Sequence, residues 1–193
     1  IRLFADDTCL FIEVDKRAEA AAFINSDLSR ILDWSHRWLV TFSSSKTKSL
    51  IISNKPDANL NPQVYLDNNA ISEVNSYSYL GFQFANNLKW NVHIDAVSLR
   101  ARQRLNSMFP LKSTLDRRSL ETMYLCFIRP LMEYGNVVWG ASYGCDIYKL
   151  ERINIMAMRL ITGAPCNSNI GNLYKETGMV TITKCINNAM LIM

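Results

Sequence analysis

Cysteine and histidine are scarce in this chain and poorly spaced for a metal centre. Five cysteines (Cys9, Cys126, Cys145, Cys166, Cys185) and two histidines (His36, His93) are scattered through 193 residues. No Cys-x-x-Cys pair occurs, which argues against a zinc site. An odd, dispersed set of thiols points instead to reduced cysteines and an intracellular setting, nuclear and/or cytoplasmic. No uncharged apolar run approaches the ~18 residues that read as a transmembrane helix. The opening residues lack the basic and then apolar pattern of a secretory signal. A membrane partner is therefore not expected. Repeats and low-complexity tracts are also lacking, and 49% hydrophobic with 20% charged residues is the composition of an ordinary globular chain. The sequence starts at Ile1 inside an apolar strand pattern, as a piece of something longer would.

Charge is present but uneven. Residues 1–85 hold 8 Lys+Arg against 10 Asp+Glu, whereas residues 86–193 hold 13 against 7. An acidic first part beside a basic second part fits metal-assisted chemistry on a polyanion. The same excess of positive charge would also serve simple solubility.

The most informative acidic residues are adjacent. Phe4-Ala5-Asp6-Asp7 joins apolar Ile1-Arg2-Leu3-Phe4 to apolar Cys9-Leu10-Phe11-Ile12. Apolar run, acidic pair, apolar run is the pattern of a β-hairpin carrying both aspartates at its turn. Neighbouring side chains of an extended strand point to opposite faces, so the pair converges only at a turn. Two close carboxylates repel unless a cation neutralises them, and a hard divalent ion such as Mg²⁺ does so through oxygen ligands. A solvated Asp-Asp turn is the plainer alternative, since Asp favours turns in any case.

Further on, Lys16 to Leu39 has helical spacing at Ala21, Ile24, Leu28, Ile31 and Trp38, a face expected to cover the aspartate sheet. Trp34 and Trp38 read as core residues. A small-residue turn, Ser43-Ser44-Ser45-Lys46-Thr47, leads into an expected strand over 49–53, and Lys55 to Pro62 reads as a loop. Val64-Tyr65-Leu66 and Ala70-Ile71 flank Asp67-Asn68-Asn69 as a small hairpin. Tyr77 to Phe84 alternates apolar with small or polar residues and reads as one strand, with Gly81 allowing another backbone close.

From Trp90 the period becomes helical. Ile94, Val97, Ala101, Leu105 and Met108 form one stripe that Pro110 ends. Leu120, Met123 or Tyr124, Phe127 and Leu131 form a second, with Pro130 able to kink it. Ile147, Leu150, Ile153, Ala157 and Leu160 form a third, and residues 169–177 and 181–193 two shorter helices. Arg100 and Arg104 lie one turn apart on the edge of the first stripe. The fold class is α+β: a sheet-containing region over residues 1–85, then an all-helical module over 86–193.

In their order these motifs resemble a reverse transcriptase of the non-LTR retrotransposon type, from the C-terminal part of the palm into the thumb. Phe4-Ala5-Asp6-Asp7-Thr8 resembles its metal-binding motif, Phe42 to Lys48 its lysine-bearing motif, and Tyr79-Leu80-Gly81 its primer-gripping strand. Trp90-Asn91-Val92-His93-Ile94, the Ile128 to Gly135 stretch, Val138-Trp139 and Leu150-Glu151-Arg152 resemble its thumb. The family usually has Asn-Pro-Ser where this chain has Ser43-Ser44-Ser45.

The resemblance implies an RNA-directed DNA polymerase, a nucleotidyltransferase that in its full-length form uses two Mg²⁺ ions on a primer 3′-hydroxyl. Asp6 and Asp7 would be catalytic metal ligands, and Lys46 would meet the leaving pyrophosphate. Tyr79, Leu80 and Gly81 would hold the primer end, while Arg100, Arg104 and Lys112 would meet duplex phosphates. Partners would be template RNA, primer DNA and deoxynucleoside triphosphates, together with upstream fingers and palm of the same polyprotein that carry a further aspartate. The fragment alone is expected to be inactive. The competing readings are a non-catalytic nucleic-acid-binding remnant of a retroelement and an inert α/β fragment.

Overall fold

Short strands around one long helix make up the first part of the chain, and helices alone make up most of the second. The computed structural model describes residues 1–53, 63–142 and 144–191. The chain divides into two units, Ile1–Tyr79 with Ala85–Leu88, and Leu80–Phe84 with Lys89–Met193. The mixture of helices and small sheets is an α+β arrangement. The loop expected over residues 55–62 lies outside the described residues.

In the first unit, Arg2–Phe4 (β1) and Asp7–Cys9 (β2) pair antiparallel with Phe4 opposite Asp7. Helix α1 (Arg17–Trp38) follows and ends at Leu39, which takes φ 54°. The inward stripe of α1 runs through Ala21, Ile24, Leu28, Ile31 and then Ser35, which is buried. This corrects the expectation for the tryptophans. Trp34 falls off the edge of that stripe and Trp38 sits in the last turn, so they are 49% and 68% exposed.

The expected cover over the aspartate hairpin is also corrected. Helix α1 packs instead against Tyr65–Leu66 (β4), where the Tyr65 N–H donates to Asn25 Oδ1 at 2.9 Å. Leu3 and Phe4 of the hairpin remain largely exposed.

Lys48–Ser49 (β3) pairs parallel with Ser72–Glu73 (β6), and residues 50–53 do not extend the ladder as expected. Strand β4 pairs with Asn69–Ala70 (β5) around Asp67 and Asn68, both at positive φ as a tight hairpin requires.

The expected single strand over 77–84 is two strands, Ser76–Tyr79 (β7) and Phe82–Ala85 (β8), because the chain turns at Leu80-Gly81. Both turn residues have positive φ, 49° and 81°. Gly81 tolerates this; a leucine is an unusual choice, and that is why sequence pattern alone concealed the turn.

The second unit is built on helix α2 (Asn91–Met108) packed against α6 (Gly144–Thr162). The stripes expected for both helices are buried: Ile94, Val97, Ala101, Leu105 and Met108 on α2, and Ile147, Leu150, Ile153, Ala157 and Leu160 on α6. A 3₁₀ turn (Phe109–Ser113) closes α2, with Pro110 in its first turn.

Helix α3 (Arg117–Met123) runs into a π turn (Tyr124–Ile128) and then α4 (Arg129–Glu133). Pro130 has no N–H to offer the Cys126 carbonyl, and the Arg129 N–H reaches back five residues to the Tyr124 carbonyl. The wider turn shifts the inward face. The buried residues are Leu120, Tyr124, Ile128 and Met132, whereas Phe127, expected inward, is 62% exposed. Short helices α5 (Asn136–Trp139), α7 (Ile170–Thr177) and α8 (Ile182–Leu191) complete the unit.

Candidate functional site

Asp6 and Asp7 lie on the β1–β2 hairpin. Asp6 is the second residue of its turn and Asp7 the first residue of β2. The turn begins at Ala5, which holds φ 52°. Alanine gains nothing from that conformation, whereas glycine or asparagine would adopt it without strain, and strained backbone clusters at functional sites. Both aspartates are exposed. Their hard oxygen donors suit Mg²⁺, which commonly takes one or two carboxylates together with water and phosphate oxygens. Among the described residues, no group of three or more His, Cys, Asp or Glu is arranged to hold a metal ion.

Lys46 is exposed in the turn that precedes β3. Ser43 organises that turn. Its carbonyl accepts from the Thr47 N–H at 3.0 Å and from Thr47 Oγ1 at 2.8 Å. Its hydroxyl lies 3.0 Å from Ser45 Oγ and accepts, at 3.4 Å, from the Lys46 N–H. A serine run thus holds the loop without proline.

Tyr79 ends β7, and Leu80-Gly81 forms the turn after it. Within the second unit the Leu80 carbonyl accepts from the Tyr134 hydroxyl at 3.2 Å. A Cβ on Gly81 would lie 3.1 Å from Tyr134 Cε1, so the close approach expected there is made by a side chain rather than a backbone. Phe82 stacks on Tyr134 with centroids 5.4 Å apart, and the Gln83 N–H donates to His93 Nδ1 at 3.3 Å. His93 is buried among Phe82, Trp90 and Trp139, and its Nε2 has no hydrogen-bond partner. Burial, reinforced by the charge of Arg100, holds its pKa below 6.5. Tyr134, His93 and Trp139 were legible only as parts of motifs; their grouping around this turn had no sequence signal.

Arg100 and Arg104 are exposed on α2, and Lys112 is exposed on the following 3₁₀ turn. The two arginines differ in their surroundings. Arg100 Nε donates to the Ala96 carbonyl of its own helix, at 3.4 Å, whereas Arg104 Nη1 donates to the Phe127 carbonyl at 2.6 Å.

Two other motifs prove to be architectural. Arg129 is buried, with Nε 2.7 Å from Glu133 Oε1 and Nη2 3.0 Å from the Val180 carbonyl. Glu151 Oε2 accepts from the Ile182 N–H at 2.7 Å, which caps the first turn of α8 from a different helix. Its Oε1 accepts from Tyr174 and, at 2.9 Å, from Asn154 Nδ2, while Asn154 Oδ1 accepts from the Tyr124 hydroxyl at 2.6 Å. Burial pushes the Tyr124 hydroxyl pKa well above the usual tyrosine value.

Comparison with curated proteins bears on what this arrangement belongs to. The chain is 26% identical over 187 residues to a probable RNA-directed DNA polymerase from transposon X-element of Drosophila melanogaster, a match covering 95% of this chain and 20% of that protein. It is 24% identical over 186 residues to the corresponding probable polymerase from transposon BS of the same fly, again covering 95% and 20%. The chain is related to reverse transcriptases of non-LTR retrotransposons. A third relative, the RNA-directed DNA polymerase from mobile element jockey of Drosophila funebris, is 24% identical across 86% of this chain and 18% of its own length. The chain thus spans about a fifth of the length of the curated relatives it matches. No family model matches, and no solved structure matches. Among the described residues no helix is long and apolar enough to cross a membrane, and the five cysteines are free.

Proposed function

We propose that this chain is the section of an RNA-directed DNA polymerase that runs from the C-terminal part of the palm, residues 1–85, into a helical thumb, residues 86–193. The observation that carries the reading is the acidic pair on a strained hairpin turn, in a chain whose relatives along nearly its whole length are named as RNA-directed DNA polymerases.

Asp6 and Asp7 would hold a divalent ion such as Mg²⁺ through their carboxylate oxygens, and the bound ion would supply the positive charge that favours attack by a primer 3′-hydroxyl and departure of pyrophosphate. Lys46, on its serine-held turn, presents a positive charge to the triphosphate. Leu80 and Gly81, with Tyr79 before them, support the primer end. Arg100, Arg104 and Lys112 meet duplex phosphates, a sequence-independent grip whose strength falls with salt. Template RNA, primer DNA and deoxynucleoside triphosphates are the partners. Fingers and a further palm aspartate come from upstream in the same polyprotein, and the site of action is intracellular.

The test is primer extension on an RNA template by the full-length polymerase carrying this segment. Asp6→Asn should remove extension and spare duplex binding. Extension at the wild-type rate would reject the reading and leave a nucleic-acid-binding remnant as the alternative.

A further inference from the structure

The Leu80-Gly81 turn is a strained piece of backbone, and Tyr134 of the helical unit packs directly on it. Leu80 holds φ 49°, a conformation that branched side chains avoid and that persists only where surrounding contacts impose it. The Tyr134 hydroxyl donates to the Leu80 carbonyl at 3.2 Å, and the edge of its ring lies where a Gly81 side chain would be. Its face stacks on Phe82, with centroids 5.4 Å apart and planes at 25°.

Tyr134 is itself placed from two sides. The Trp139 Nε1–H donates to the Tyr134 carbonyl at 2.9 Å. Gly135, at φ 59°, lets Phe82 pack so near that a Cβ would sit 2.2 Å from Phe82 Cζ. His93 Nδ1 then accepts the Gln83 N–H at 3.3 Å, fixing the strand that leaves the turn. A Cβ at Gly135 would overlap the Phe82 ring, and one at Gly81 would press on the edge of the Tyr134 ring.

We propose that Tyr134 is a positioning residue for the primer terminus: it holds the Leu80 carbonyl and the Gly81 backbone in the strained turn that presents them. The proposal rests on the reading that this turn supports the primer end. It adds that the turn's shape is set by the Tyr134-Gly135 corner after α4, which explains in physical terms why two distant glycines and one tyrosine are needed together. The Tyr134 side chain is 57% exposed, so its hydroxyl is not a core requirement, and its loss should leave the fold intact.

The experiment is steady-state primer extension by the full-length polymerase, with primer–template and nucleotide each varied, beside a thermal melt. Tyr134→Phe removes the hydroxyl and keeps the ring. It should raise KM for primer–template roughly two- to tenfold, the range expected for one net hydrogen bond. KM for the nucleotide and the melting temperature should stay close to wild type. Tyr134→Leu, which also removes the stacking face, should raise the primer KM further. Gly81→Ala, which strains the turn directly, serves as the reference. If Gly81→Ala raises the primer KM and neither Tyr134 variant does, Tyr134 does not position the turn, although the turn still supports the primer. If none of the three moves it, the turn has no primer role and the proposal falls with that reading. A rise in both KM values together with a fall in kcat and in melting temperature in Tyr134→Phe would make the residue merely structural and overturn the proposal.

Discussion

Arg104 on α2 donates from Nη1 to the carbonyl of Phe127, 2.6 Å away, at the π turn. A side chain proposed above to meet duplex phosphate is thus a strut between two helical segments. Arg100, one turn earlier, has no such cross-element bond at its Nε. The two arginines should separate in experiment. Arg100→Gln should reduce the log–log salt slope of duplex affinity by about one unit without changing the melting temperature. Arg104→Gln should lower the melting temperature as well, because the Phe127 carbonyl loses its donor. Equal melting temperatures and equal slopes for the two variants would contradict the strut.

The helical unit should be unusually sensitive at Tyr124 and Asn154. Tyr124→Phe leaves Asn154 Oδ1, in a fully buried residue, without its 2.6 Å partner. A loss of about 1–3 kcal/mol is expected from an unsatisfied buried polar group. The double change Tyr124→Phe with Asn154→Leu should cost less than the sum of the single changes. Denaturant unfolding of the four variants checks this, and strict additivity would contradict coupling through the hydrogen bond.

Acid should weaken the same unit through His93. Its folded pKa is held below 6.5 by burial and then by Arg100, so the unfolded chain takes up a proton first as pH falls. The contribution is fully present above about pH 6.5. It is lost as pH drops from there through the lowered folded value, and no further loss follows once His93 is protonated in both states. His93→Asn keeps an acceptor for the Gln83 N–H and removes the titration. Unfolding free energy measured from about pH 7 to pH 5 should slope less in the variant by up to one proton. Identical slopes would show that His93 does not report the transition.

These helical relationships were legible to different depths. The α2 and α6 stripes follow from 3.6-residue spacing because both helices are regular along their buried faces, from Ile94 to Met108 and from Ile147 to Leu160. In the stripe between them Leu120 and Tyr124 are buried as read, but Phe127 is turned outward, because the π turn before Pro130 shifts the inward face by more than regular periodicity allows. The Leu80-Gly81 turn was hidden for a different reason. Leucine carries no turn signal, and the partner that imposes its φ, Tyr134, is more than fifty residues away. The acidic hairpin was readable because its signal is local: two apolar runs and the residues between them.

The first unit should associate in solution. Leu3, Phe4, Phe11, Ile12 and Phe23 are all more than 40% exposed, and exposed apolar side chains of this kind favour association. Sedimentation of the 193-residue chain should show mass rising with concentration, and Phe4→Ser with Phe11→Ser should reduce it. A monomer across the whole range would mean that these side chains are dispersed rather than contiguous.

The central claim is that the acidic pair does metal-dependent chemistry, and Asp6→Asn addresses it most directly. The amide keeps the shape of the side chain and removes the charge that holds a divalent ion. Loss of the transition-state stabilisation a metal provides is worth several kcal/mol, a drop of ~10³-fold or more at about 1.4 kcal/mol per decade. Primer extension by the full-length polymerase should therefore fall by at least that factor in Asp6→Asn, with duplex affinity and its salt dependence unchanged. Extension at the wild-type rate would show that Asp6 and Asp7 are only a solvated turn.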